Sequence, residues 1–367
     1  MHKLHPLLIA SGLLFASNSF ASTYSAEARG AAMGGVGVVS ASYLTAPFYN
    51  PALVAIYRRN DDAGMILPSV SLSINDKDDV INRIEDIGNI KDDNELEEAL
   101  KSIDGDSVKF DLGAAFALGI PNRYIAANLF GQIYTESFIT PRVHAGNEYS
   151  DSFVEAVTLG VAEVGITLAK YQTFMYQHIS WGITPKMQRI NTYGYSVDFD
   201  GFDSGKIRDN ENSETAINFD VGALWFHGPF RVGFAGKNMI PRDIETKSYS
   251  FNGSTIQHTY RMRPALTVGA GIVADYFTIS ADFDLNEQKR FAGFNDNIQM
   301  LSVGFEVDLL RQIQARGGYK VNLAQDNETT LTAGIGLSPL NLIEMDIAAS
   351  YTDESAFGIT LNFLATY

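Results

Sequence analysis

The chain has no cysteine among its 367 residues. Disulfides, thiol chemistry and thiolate metal ligands are therefore all excluded. Basic residues are scarce: 27 Lys and Arg stand against 43 Asp and Glu, a formal charge of −16. Such a surface repels phosphate, so direct nucleic-acid binding is not expected. Long apolar runs are also missing, since no stretch reaches the roughly 18 to 20 residues that a membrane-spanning helix needs. Neither G-x-S-x-G nor H-E-x-x-H occurs, and beyond the first 21 residues only His144, His178, His227 and His258 remain, widely scattered. No catalytic residue, metal ligand or cofactor site is assigned, and an enzyme is not expected. "GAGIVA" at 269–274 has the letters of a dinucleotide fingerprint, but the strand-like "YFTISADFDL" follows where a helix N-terminus is required. "DFDGFDSG" at 198–205 gathers three carboxylates. Its spacing is not that of an EF-hand, which leaves a solvated acidic loop as the reading over calcium.

What is present begins with "MHKLHPLLIASGLLFASNSFAS", a basic Lys3, a short apolar run and small residues at Ser19 and Ala21. Residues 1–21 read as a cleaved signal peptide. Without them, 26 basic side chains face 43 acidic ones. The composition, with 32 Gly, 17 Tyr and 23 Phe, suits strands, tight turns and interfacial aromatics. Period two dominates the rest. In "FGITLNFLATY" the apolar set is Phe357, Ile359, Leu361, Phe363, Ala365 and Tyr367, and "LIEMDIAASY" and "FTISADFDLN" alternate in the same way. Fourteen strands are expected, near 64–75, 108–119, 124–136, 158–170, 173–188, 214–227, 230–240, 264–275, 277–286, 298–308, 312–322, 329–337, 342–351 and 355–366. Connections after odd strands are mostly long. Those after even strands are short, including "YQ" at 171 and "GP" at 228.

Alternating long and short connections belong to an up-and-down outer-membrane barrel rather than a soluble sandwich. Backbone groups in lipid must all be paired, so the sheet must close. The fold class is all-β, a closed antiparallel transmembrane barrel over 63–367. Asp111, Asp220, Asp282, Asp284, Glu306, Glu344 and Asp346 share the polar strand face and must line the lumen, because their burial in lipid is costly. Tyr124, Tyr134, Tyr276, Phe277, Tyr319 and Tyr351 suit interfacial girdles. In the first long loop, 76–107, Val80, Ile81, Ile84 and Ile87, then Leu96, Ala99, Leu100 and Ile103, recur at helical spacing, and Asn94 with Glu97 resembles a capping box. Two amphipathic helices are expected over the outer mouth.

Before the barrel, 22–62 does not read as a strand. Small residues crowd Ala26 to Gly37, and Asn50 before Pro51 suggests an N-cap and a short helix to about Tyr57. This segment is either a periplasmic leader or a hatch inside the barrel. "ARGAAMGGVGVVSASYLTAPFYNPALVA" resembles the opening of the FadL and PorV group of fourteen-stranded outer-membrane barrels. More closely, it is similar to TraF-type conjugal transfer proteins of the F-plasmid transfer operon, with Asn50, Pro51 and Ala52 as the shared hatch motif. A FadL-like relationship implies hatch-gated passage of small hydrophobic solutes. A PorV-like or transfer-operon relationship implies a scaffold in a secretion or conjugative apparatus. Thioredoxin-like chemistry, borne by another TraF protein of that operon, is impossible without cysteine. The partners implied are outer-membrane lipid, the barrel assembly machinery, which the resemblance has reading Phe363 and Tyr367, and either a hydrophobic ligand or transfer-apparatus proteins.

Overall fold

In a computed structural model of the chain, the alternating segments form the wall of one closed antiparallel barrel. The structure describes residues 26–366, apart from 58–62, 77, 88–89, 91, 144–151, 199–209, 252, 295, 310–311, 326–327 and 340–342. The acidic stretch at 199–205 and Tyr367 lie outside the described residues. The first wall strands are β1 (Gly64–Asn75), β2 (Val108–Ile120), β3 (Ala126–Arg142), β4 (Phe153–Phe174), β5 (Gln177–Asp198), β6 (Asn212–His227) and β7 (Phe230–Lys237). The loop after β7 holds β8 (Arg242–Glu245), β9 (Tyr249–Phe251), β10 (Ser254–Ile256) and β11 (Thr259–Met262). The wall resumes with β12 (Ala265–Val273), β13 (Phe277–Asp284), β14 (Met300–Leu309), β15 (Ile313–Asn322), β16 (Glu328–Leu337), β17 (Ile343–Asp353) and β18 (Ala356–Thr366). Each wall strand pairs with the next, and β1 with β18 closes the ring, Gly64 opposite Thr366.

The side-chain alternation shows which solvent each face meets. On β14, Leu301, Val303, Phe305, Val307 and Leu309 are exposed while Ser302 and Gly304 are buried. The same holds for Ile179, Trp181, Ile183 and Met187 of β5 or Ile343, Ile347 and Tyr351 of β17, most of them clearly exposed. A continuous apolar belt would be intolerable in water, and its height of about nine or ten residues per strand is that of a tilted bilayer crossing. No helix among the described residues is long and apolar enough to cross a membrane; strands do so.

Four expectations need correction. The β4–β5 turn lies at Met175–Tyr176, both with positive φ (49° and 63°), not at 171–172. A tight hairpin turn needs left-handed backbone at both central positions, normally marked by Gly or Asn. Met and Tyr carry no such mark. Tyr134 faces the lumen at 8% exposure rather than joining a girdle. Helices do form in the first long loop, α2 (Val80–Ile87) and α3 (Asp93–Ile103). They do not span the mouth: Val80 packs with Val108 and Phe110 and against Ile74 and Ile139, on the outer side of the wall. Nor does Asn94 cap α3, since it lies inside the helix; Asp92 Oδ1 accepts from Glu95 N at 3.1 Å. Asp92, the residue preceding the first helical one, holds the N-cap position.

β3, β4 and β5 also run beyond the expected bounds, β5 by ten residues to Asp198. The mouth above them is covered by two long loops. Tyr260 bridges to Phe291, and Arg261 N donates to Arg290 O at 2.9 Å.

Candidate functional site: the filled lumen

Residues 26–57 lie inside the barrel, nearly all buried. A chain threaded through a lumen must satisfy its own backbone polar groups, and here the wall does much of that work. The short helix α1 (Ala28–Ala32) packs against β15 to β18. Glu27 caps it, accepting from Arg29 N at 2.9 Å and Gly30 N at 2.8 Å, while Tyr49 Oη donates to Glu27 at 3.0 Å. Ala28 N donates to Asn362 Oδ1 at 2.6 Å, and Gly34 N to Thr332 Oγ1 at 2.8 Å. Arg29 grips Glu306 with two parallel bonds, 2.8 and 2.7 Å, the strongest geometry available to this pair.

The sequence-assigned acids can now be placed. Asp282 accepts the Gly37 and Val38 amides at 2.7 and 3.0 Å. Glu306 holds Arg29 and, at 2.6 Å, Arg316. Asp346 pairs with Arg316 and accepts from Asn362 Nδ2 at 3.1 Å, while Glu344 meets Arg316 at 3.0 Å. Those four gather around the α1 half of the segment. Asp220 does not: it pairs with Lys186 at 3.0 Å and accepts from Asn238 N at 2.8 Å. Asp284 ties neighbouring strands together through Thr267 Oγ1 at 2.8 Å and Met300 N at 2.9 Å. Asp111 is buried in the lumen wall. Phe363, half-buried, stands on the outward side of β18.

Asn50 does cap the next turn, accepting from Ala52 N at 3.0 Å, but the element it opens is a 3-10 turn, Pro51–Ala55, rather than a helix reaching Tyr57. Its amide also donates to Val38 O at 2.8 Å and Ala223 O at 3.2 Å, so the motif ties the middle of the segment and its own turn to β6. Ser180 Oγ donates to Ala52 O at 2.7 Å, and Lys237 Nζ to Phe48 O. Two wall glycines record how closely the segment approaches. A Cβ at Gly304 would collide with Met33, and one at Gly222 with the Asn50 side chain.

The lumen has two chemically different sides. Opposite the polar groups of β13 to β18, the 3-10 turn packs on β3 to β6. One apolar cluster there joins Leu53 and Phe48 to Phe130, Leu159 and Phe138, and on to Phe291 in the outer loop. Phe48 meets Phe130 edge-on at 5.7 Å, and Phe138 meets Phe291 at 6.0 Å. Above the segment remain two small cavities, of about 50 and 40 Å³, lined largely by polar and charged groups that include Glu163, Lys186 and Arg290 in the first and Lys109, Lys320 and Glu328 in the second. The outer loops are latched to the wall: Arg290 pairs with Glu136 at 3.1 Å, His258 with Glu155 of β4 at 3.1 Å, and Arg142 of β3, itself paired with Glu155, donates to Gly293 O at 2.9 Å.

Sequence reasoning missed Arg29, Asn362, Thr332 and Lys237, all of which hold the segment. Inward parity was the available signal for the wall residues, but parity does not say what lies across the lumen. His178 stacks on Tyr171 at 6.0 Å near the short-turn end, with Tyr171 Oη 2.6 Å from its Nδ1, and no cluster of metal-ligating side chains occurs among the described residues.

No protein of curated function matches the sequence. Among solved structures, the fold is similar to the Ralstonia pickettii toluene transporter TbuX (TM-score 0.56, 14% identity, 93% of this chain and 97% of that one). It is also similar to a Pseudomonas aeruginosa FadL homologue (0.57, 11%, 95% and 99%) and to the P. putida toluene transporter TodX (0.53, 11%, 95% and 99%). At such identities the likeness is one of fold. The family model described as "F plasmid transfer operon, TraF, protein" matches residues 47–284, well over half of the sequence, and the chain belongs to that family.

Proposed function

We propose that the protein is a non-enzymatic outer-membrane barrel, exported with loss of residues 1–21, that admits small apolar solutes when residues 26–57 shift within the lumen. The observation that carries this reading is the apolar side of the lumen. It runs from Phe291 at the outer loops to Phe48 and Leu53 of the hatch as one buried, closely packed cluster, so an apolar path along it opens only where the hatch parts from the wall. The fold shared with toluene transporters supports the same solute class. An engineered apolar cavity of about 150 Å³ admits benzene. The polar cavities of about 50 and 40 Å³ present here do not suffice, so passage requires the hatch to move. Asn50, Pro51 and Ala52 serve as its pivot on β6, and Asp282, Glu306 and Asp346 hold the other half. Asp220, Asp284 and Glu344 keep the wall in shape.

Locking the segment tests this directly. Ser40 Oγ and Ser280 Oγ lie 3.1 Å apart, one on the hatch and one on β13. In a chain without cysteine, Ser40→Cys with Ser280→Cys would form one unambiguous crosslink. Toluene uptake into proteoliposomes should fall to background when the pair is oxidised and recover on reduction. Equal uptake in both states would end the gating idea.

A second reading, a scaffold in a transfer apparatus, is favoured by the family match. It expects mild crosslinking to capture a transfer or secretion protein, and the same crosslinked hatch to leave that capture unchanged.

A further inference from the structure

The β4–β5 hairpin reaches past its neighbours at the short-turn end. β3 begins at Ala126, opposite Ala169, so the last residues of β4 pair with β5 alone, from Lys170 with Trp181 to Phe174 with Gln177. On the other flank, β6 still covers β5 as far as His178. One edge of β4 is therefore left without a strand. Every residue from Lys170 to Gln177 is exposed, Met175 at 76% and Tyr176 at 94%.

The pairing fixes which groups that edge offers. In a two-residue hairpin the pair flanking the turn is hydrogen-bonded and the bonds then alternate, so Phe174 and Gln172 bond to β5. The N–H and C=O of Tyr171 and Thr173 point the other way. No described backbone group takes them. The turn leading into β3 is closed on itself, Asn122 Oδ1 accepting the Tyr124 and Ile125 amides at 2.8 and 3.4 Å. Aromatic contacts stiffen the hairpin, since Tyr171 stacks on His178 and His178 on Phe226, the second pair with centroids 5.2 Å apart.

An exposed edge is a template for another strand, and its side chains select which strand. Residues 120–125 and 169–181 border this edge and hold Arg123 and Lys170 with no Asp or Glu. Beyond β5, residues 225–232 add Arg231 and again no acid; Asp275 comes only after β12. A second copy of this chain would set Lys170 against a like edge, and like charges oppose that pairing. An acidic strand gains instead. We propose that the edge of β4 at Tyr171–Thr173 docks an extended segment of a periplasmic protein in which acidic and apolar residues alternate.

Strand alternation sets that chemistry. Acids would lie beside the outward Lys170 and Gln172, apolar side chains beside the inward Tyr171 and Thr173. Met175 and Tyr176 keep left-handed backbone without glycine or asparagine, and so present two large side chains beside the path of the segment. The contact deepens the scaffold reading and rests on the short turns facing the periplasm; it does not depend on solute passage.

The purified barrel, in detergent, is titrated with a short fluorescent peptide of alternating Glu and Val, and separately with a Lys and Val peptide of equal length, by anisotropy. The acidic peptide should bind and the basic one should not. Thr173→Pro removes one edge N–H and spares the bonds to β5, so it should weaken binding about tenfold, the size of one hydrogen bond. Lys170→Glu should shift it in the same direction. Folding of each variant is confirmed by its heat-modifiable mobility. Equal binding by the parent and folded Thr173→Pro would overturn the proposal, as would equal binding of the two peptides or none of either. A fluorophore on Tyr176→Cys reads the alternative that the tip lies among lipids, and its quenching by doxyl-labelled phosphatidylglycerol in proteoliposomes would overturn the proposal too. Each of these failures still allows a transfer protein to be captured by crosslinking, so the scaffold reading is judged separately.

Discussion

Asp296 shows how much a single side chain in the outer loops can set. It is fully buried, accepts from Phe291 N at 2.7 Å and lies 4.0 Å from Arg290. Burial pushes its carboxyl up to about 6, against the pull of Arg290 and the Phe291 amide. A carboxyl whose folded value lies above its unfolded value of about 3.9 binds its proton more tightly when folded. Its stabilising contribution is therefore complete below the unfolded value and is lost as pH rises through about 6. Protection factors for the amides of residues 290–292, corrected for intrinsic exchange, should fall between pH 4.5 and 7.5 by the protonation linkage, and Asp296→Asn should flatten that fall. Gly304→Ala presses a methyl group against Met33, and overpacking of this kind costs about 1 to 3 kcal/mol. The expected result is a more protease-accessible N-terminal segment in a barrel whose heat-modifiable mobility is unchanged. Little at this scale was legible beforehand. Asn50 announced its cap because Ncap and N1 chemistry is local. Arg29 and Glu306 stand 277 positions apart, and only closure of the ring brings them together.

At the scale of elements, the wall strands were readable because alternation is a property of neighbouring residues. Their ends were less so. β4 and β5 continue as a two-faced sheet after the belt stops, and that stretch reads as a loop when lipid is assumed outside. The helical hairpin was readable from its periodicity, its docking site was not, because an apolar stripe does not name its partner. Asp76 anchors α2, accepting from Val80 N at 2.7 Å and Ile81 N at 3.1 Å. Burial raises its carboxyl, and those two amides oppose the shift. Asp76→Ala should remove about 1 kcal/mol of helix stability. Limited proteolysis within 78–106 should then quicken while the strands remain protected in hydrogen exchange.

For the whole molecule, the belt and the filled interior make separate demands. Exposed Leu, Ile, Phe and Val around the full circumference predict that the purified chain stays monodisperse only with detergent or lipid, and sedimentation after detergent removal should show aggregation. A barrel that remained monomeric without it would contradict the assignment of faces. The interior predicts low ionic conductance in planar bilayers, since residues 26–57 fill the lumen and the two cavities beside them are only about 50 and 40 Å³. Deleting residues 26–57 should raise conductance by the width of the lumen they vacate.

The sequence by itself determined the strand number, the direction of each face, the belt and the polar lumen, because all of these follow from period two and from where carboxylates can tolerate being. Tertiary structure alone decided that the N-terminal segment fills the lumen, which acids grip it, that the outer loops rather than the helices cover the mouth, and that β3 to β5 rise above the lipid. Those outcomes depend on the register and closure of the ring, which set distances between residues hundreds of positions apart, and no local pattern encodes a distance across a lumen.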